Sequence, residues 1–173
     1  MKKQDFWWKF AYLAASIGVV LLDQASKAWA RKTLRFGDEV NVIPGFLNFV
    51  YAENTGVAFS QLNNGGDFGR WMLSVLAALA ALAVLYYFWR TPRTADRTLG
   101  ACALLMAGIV GNLTDRARLG FVIDFIDVQF GGWHYPTFNI ADSAICLGAG
   151  LLILDLLLFK NRSKNKISKS KAV

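Results

Sequence analysis

Four apolar runs, at about residues 10–30, 71–89, 98–114 and 139–159, limit what this chain can fold into more than any other feature. Each is close to the roughly 17–25 residues a helix needs to cross a bilayer, where unpaired backbone groups are too costly to expose. The second run is the cleanest. Arg70 and Arg90 bound it, with Trp71 at one end and Tyr86, Tyr87 and Trp89 at the other, as an interfacial belt requires. The third is short and rich in small residues, with Ala103, Ala107 and Gly111 at four-residue spacing. That spacing lets neighbouring helices come close and predicts a central place in the bundle. A hydrophobic content of 55% and a mean hydropathy of +0.35 lie above the soluble range and agree with this reading.

Charge sets the expected orientation. The chain carries 19 Lys and Arg against 12 Asp and Glu, a formal +7. Most of the basic residues sit in three flanks: Lys2, Lys3 and Lys9; Arg90, Arg93 and Arg97; and the tail from Lys160 to Lys171. Such flanks hold loops in the cytoplasm. Four spans put both termini on one side, so both ends and the loop around Arg93 face the cytoplasm. Residues 31–70 and 115–138 then face outward, and residues 160–173 form a cytoplasmic tail, unstructured and drawn to anionic head groups. The whole is one membrane domain, residues 1–173. Nucleic acid is excluded as a partner, because the aromatics gather at the ends of apolar runs instead of interleaving with a basic face. Lys2, Lys3, the run from residue 10 to 22 and the AWA at residues 28–30 imitate a secretory leader. Cleavage there would leave three spans and put the basic tail outside, against the charge rule. Cys102 and Cys146 lie within apolar runs and read as small packing residues. LGAC at residues 99–102 imitates a lipid-attachment box but lies mid-chain.

The outward connections carry strand-like patterns. NVIPGFLNFVYAENTGVAFS is rich in β-branched and aromatic residues, broken by Pro44, Gly45 and Gly56, and predicts short strands. GFVIDFIDVQF predicts another, followed by a turn at GGWHYP. The glycine-bearing stretch at residues 63–69 reads as a mobile loop fit to cover a bound peptide.

Ionisable residues at membrane depth mark functional sites by default, each weighed against a structural ion pair. Asp23 has Lys27 four residues on, hence on the same helix face, and an internal pair is the simpler reading. Asn54 sits in a turn sequence. Asn112, Asp115 and Arg116 suit a helix end with an Arg–carboxylate pair. Asp124 in GFVIDF and Asp142 in FNIADS come from separate elements yet both fall near the outer boundary, and Asn139 makes a purely capping role for Asp142 redundant. Asp127 competes with Asp124. Asp155 reads as a snorkelling or paired charge.

Elimination narrows the chemistry. His134 is the only histidine and sits in a Trp, Tyr and Pro setting, which leaves no serine triad. No HExxH or equivalent metal set and no phosphate-binding Gly loop occurs. A carboxylate pair sharing one proton remains, in which one group acts as base and the other as acid. On residues alone two readings stay level: a hydrolase, and a small transporter component with Asp23, Asp124 and Asp142 as an ion or proton relay. A noncatalytic assembly protein, held by the small-residue face of the third span, is a further alternative.

Five ordered blocks, LLDQASK, ENTGVAFS, GNLTDR, GFVIDF and FNIADS, resemble the lipoprotein signal peptidase (signal peptidase II) family over nearly the whole chain. The resemblance implies four transmembrane helices with a small extracytoplasmic β-sheet and a short extracytoplasmic helix in the bacterial inner membrane. It implies an aspartyl endopeptidase that needs no metal or cofactor and works near the periplasmic face; a monomer is the expected state, which the sequence itself does not fix. Its substrate would be a diacylglyceryl-modified prolipoprotein, cut before the lipidated cysteine. Asp124 and Asp142 would be the catalytic dyad, with Asp23, Asn54, Gly56, Asn112, Arg116, Asn139 and Ala141 binding substrate or bracing the site.

Overall fold

The computed structural model describes residues 3–56 and 67–170. Four long helices carry the chain: α1 (Lys3–Thr33), α2 (Asp67–Arg90), α3 (Asp96–Leu119) and α4 (Ile140–Ser170). Four strands, β1 (Val40–Ile43), β2 (Leu47–Asn54), β3 (Val122–Phe130) and β4 (Trp133–His134), lie at one end of the bundle. Each expected span coincides with one helix, the fourth starting one residue later than expected, after Asn139. Three segments, Phe68–Arg90, Asp96–Leu119 and Ile140–Leu158, are long and apolar enough to cross a membrane. In α1 the apolar run is interrupted by Asp23 and Lys27 and falls outside that group. The short helix implied by the resemblance is not among the described residues, and residues 57–66, most of the expected mobile loop, lie outside them.

One expectation about the ends needs correction. The tail continues as helix to Ser170 instead of being unstructured, because no Gly or Pro follows Gly150 to stop α4 and Lys, Arg and Leu carry good helix propensity. Lys9, in the first basic flank, is 2% exposed, and its Nζ donates to the carbonyls of Phe88, Trp89 and Thr91 at 2.9, 2.9 and 2.8 Å. It thereby caps the C-terminus of α2, where carbonyls lack helical partners and a cation is favoured.

Helix α3 is central, as its small residues predict. In its apolar window 61% of residues are buried, against 11% in α2 and 17% in α4, and it packs on all three other helices. A Cβ on Gly108 would strike the Ala141 carbonyl oxygen and Ile145, and one on Gly111 would meet Asp23 Oδ2 at 2.6 Å. A Cβ on Gly148 would come as close to α3, 2.8 Å from the Ala101 oxygen. At the far end Phe88, Leu99, Cys102 and Met106 form a core with Tyr12, Leu13 and Trp89 around it.

The sheet joins the two connections. It is antiparallel in the order β1-β2-β3-β4, with Ala52 opposite Asp124, Asn54 opposite Val122 and an irregularity between Phe49 and Ala52. Ala30, Leu34, Ile123 and Phe125 seat it on the ends of α1 and α3. Trp29, Phe49 and Phe125 pack edge to face, with centroids 5.6–6.4 Å apart.

Candidate active site

Asn139 organises the site. It precedes α4 as its N-cap: its Oδ1 accepts from the Asp142 N–H at 2.9 Å, while Asp142 Oδ2 accepts from the Asn139 N–H at 3.2 Å. This reciprocal pair is a capping box. Asp142 is therefore a capping residue as well as a site carboxylate, and the sequence argument that one role displaces the other does not hold. The Asn139 side chain is fully buried. Its Nδ2 donates to Asp124 Oδ1 at 2.7 Å and also approaches Asn112 Oδ1 and the Ile123 carbonyl, both at 3.2 Å. One residue thus holds both carboxylates, Asp124 through its side chain and Asp142 through its backbone.

Asp124 is 2% exposed. Its Oδ2 accepts from Asn54 Nδ2 at 3.0 Å. The opposite end of that amide is fixed by the Gly56 N–H, which donates to Asn54 Oδ1 at 2.9 Å. Gly56 has φ +79°, and a Cβ there would meet Leu73 Cδ1 at 2.6 Å, so only glycine fits. Burial pushes the Asp124 carboxyl up to about 6, aided by the charge of Asp142 and opposed by the Asn54 and Asn139 amides and by Lys27. Asp142 is half-buried and accepts from Asn112 Nδ2 at 2.7 Å.

Behind these residues lies a buried ion cluster. Lys27, 1% exposed, donates to Asp23 Oδ2, Asp115 Oδ2 and Asn112 Oδ1, all at 2.9 Å. Asp23 Oδ1 accepts from the Ala141 N–H at 2.9 Å, so α1 braces the first turn of α4. Asp115 accepts from Gln24 Nε2 at 2.9 Å and from the Ile123 N–H at 3.2 Å. Every ammonium proton has a partner, which such burial requires. The helix-end pair expected between Arg116 and a neighbouring carboxylate is not formed. Asp115 points to Lys27, while Arg116 lies within Coulombic reach of Asp142, Asp124 and Asp115. Lys27 and Gln24 are the members sequence reasoning missed as site residues. Lys27 was visible as the i+4 partner of Asp23, whereas its bond to Asn112 crosses between helices.

Other polar residues are drawn elsewhere. Asp127, the expected competitor of Asp124, bonds His134 Nδ1 at 2.9 Å and accepts from Asn48 Nδ2 at 3.3 Å, and neither of these bonds goes to Asn139 or Asp142. Three residues apart on a strand, the two side chains point to opposite faces. His134 is thus tied to Asp127, beyond the aromatic packing expected of it. Asp155 accepts from Thr98 Oγ1 at 2.8 Å. Cys102 and Cys146 are free thiols. Among the described residues no three His, Cys, Asp or Glu side chains are grouped to hold a metal ion.

A helical bundle with apolar spans and two amide-held carboxylates at one end defines a membrane protein equipped for acid–base chemistry. A family model for signal peptidase (SPase) II matches residues 15–158. Lipoprotein signal peptidases of Alteromonas mediterranea and Polynucleobacter necessarius are 40% and 43% identical to it, over 88% and 82% of this chain and 82% and 86% of theirs. A solved bacterial membrane enzyme superposes with a TM-score of 0.77 at 33% identity, over 85% of this chain and 92% of its own. The chain belongs to the signal peptidase II family of aspartic-type peptidases. That membership supports the peptidase and not the transporter component.

Proposed function

We propose that Asp124 and Asp142 are the catalytic pair of this peptidase. In this reading the enzyme removes the signal peptide from prolipoproteins by cutting before the diacylglyceryl-modified cysteine. The observation that carries the assignment is Asn139, which binds both carboxylates at once and fixes their mutual position from the start of α4. Asp142 serves as the base. N–H donors and the N-terminus of α4 face its oxygens, and its half-exposure leaves room for water. Asp124, desolvated and raised to about 6, carries the shared proton. It passes that proton to the scissile carbonyl oxygen as Asp142 takes one from the attacking water. When the gem-diol collapses, Asp142 delivers its proton to the leaving amine and Asp124 recovers one from the gem-diol hydroxyl. Asn54, Gly56, Asn112 and Asn139 hold the pair in place. Arg116 offsets its charge, and Asp23 holds the Ala141 amide. These groups come from one chain, so a monomer suffices.

Helix α1 completes a set of four spans. Its Asp23 and Lys27 are buried within the bundle, while Ile17, Leu21 and Leu22 are 58–65% exposed and face lipid. Basic flanks then keep both termini in the cytoplasm and put the pair near the periplasmic face of the inner membrane, where the substrate's lipid chains stay in the bilayer. The test is cleavage of a diacylglyceryl-modified prolipoprotein by the purified enzyme in detergent, with a chelator present. Wild type cleaves, whereas Asp124→Asn and Asp142→Asn fall at least about 1,000-fold, the usual scale for loss of an essential acid or base. Full activity in either variant removes it from the pair.

A further inference from the structure

A cavity of about 400 Å³ opens between the last turns of α1 and α3, at the same end of the bundle as the carboxylate pair but on the other side of Lys27. Its walls carry Arg31, Lys32, Arg35 and Arg118, its floor is the closed Lys27–Asp115 pair with Gln24, and Phe36, 88% exposed, stands at its rim. None of the four wall cations has a hydrogen bond or ion pair among the described residues. The two helix C-termini beneath them offer about half a negative charge each, far short of four positive charges. Asp115 is already matched by Lys27, Glu39 accepts from Asn41 on a separate groove, and Glu53, which accepts from the Tyr51 hydroxyl near Arg31 and Arg35, offsets at most one of the four charges. The cavity is thus a positive surplus beside an apolar edge, placed where helix α1 leaves its apolar run. Guanidinium forks there suit phosphate oxygens, and exposed Phe36, with Leu119 and Ile123 in the wall, suits glycerol and acyl carbon.

We propose that this cavity binds the phosphate head group of an anionic phospholipid, and that the chain therefore holds a lipid site separate from its proteolytic centre. The volume is in the range of small-molecule sites. Lipid is favoured over free phosphate because the cations sit at the apolar boundary with Phe36 beside them, so a head group held by the guanidinium groups keeps its glycerol and acyl carbon against apolar surface.

The test is the melting temperature of the purified full chain in neutral detergent, titrated with short-chain phosphatidylglycerol, short-chain phosphatidylcholine or inorganic phosphate. Wild type should show a saturable rise with phosphatidylglycerol only. Arg31→Gln/Arg118→Gln should weaken that response at least tenfold while keeping the lipid-free melting temperature. Arg31→Lys/Arg118→Lys, which retains the charge and guards against a folding artefact, should keep most of it. Arg90→Gln/Arg97→Gln, which removes equal charge at the other end of the bundle, should respond as wild type does. An equal rise with phosphatidylcholine, an unaltered response in Arg31→Gln/Arg118→Gln, or an equal loss in Arg90→Gln/Arg97→Gln would overturn the site. A matching response to inorganic phosphate would overturn its assignment to lipid.

Discussion

Asp124 and Asn139 show how much turns on single side chains. Since burial lifts the Asp124 carboxyl from the ordinary 3.8 to about 6, the folded state binds its proton more tightly than the unfolded chain. The associated stability is fully present below pH 4 and is lost as pH rises through 6. Wild type should therefore melt lower at pH 7 than at pH 4.5 relative to Asp124→Asn, by on the order of 1 kcal/mol after allowance for solvent screening. Thermal denaturation of both proteins across that range checks the sign, and parallel curves would contradict it. Asn139→Asp separates capping from catalysis. An aspartate caps α4 as well as asparagine does, but it replaces the amide that donates to Asp124 with a third negative charge. Helicity should persist while prolipoprotein cleavage falls at least about 100-fold. The polar residues gathered around Asp124 and Asp142 were legible one by one in the sequence, as costly groups in or beside apolar runs. Their partners were not. That Lys27 reaches Asn112, or Asn54 reaches Asp124, depends on how helices and strands distant in the chain are set against each other.

Among the elements, the helices were readable because apolar length and flanking charge are local properties. The strands were readable only as short β-branched stretches, since the pairing of β2 with β3, and the irregularity that aligns Ala52 with Asp124, is a relation between two connections. The fit of α3 to α4 makes a sharper prediction. Gly108→Ala and Gly111→Ala push a methyl group into Ala141 and Asp23, next to the start of α4. Each should cost about 2–4 kcal/mol and lower cleavage with it. Gly150 also lies on α4, but a methyl group there would meet nothing within 4 Å. It should accept alanine with a gain of up to about 1 kcal/mol from helix propensity. Denaturation in detergent compares the three, and equal effects would contradict the packing account.

For the whole molecule, orientation follows from charge and predicts accessibility. With Cys102 and Cys146 replaced by serine, a cysteine at Thr94 should resist an impermeant maleimide in intact cells, and one at Gly132 should react. The reverse pattern would invert the topology. The proposed orientation rests on the basic flanks, which are local in sequence, whereas the capping of α2 by Lys9 needs the bundle to be seen.

The sheet and the ion cluster also bear on when the proposed pair becomes complete. Asn54 bonds Asp124 across 70 positions of chain, and Asp23 holds Ala141 across 118. A nascent chain that has delivered α1, α2 and α3 still lacks Asn139 and Asp142, so Asp124 has neither its clasp nor its counterpart. On the proposed assignment of Asp124 and Asp142, proteolytic competence would be the last event of biogenesis, and a chain stalled before its fourth helix should leave neighbouring precursors uncut.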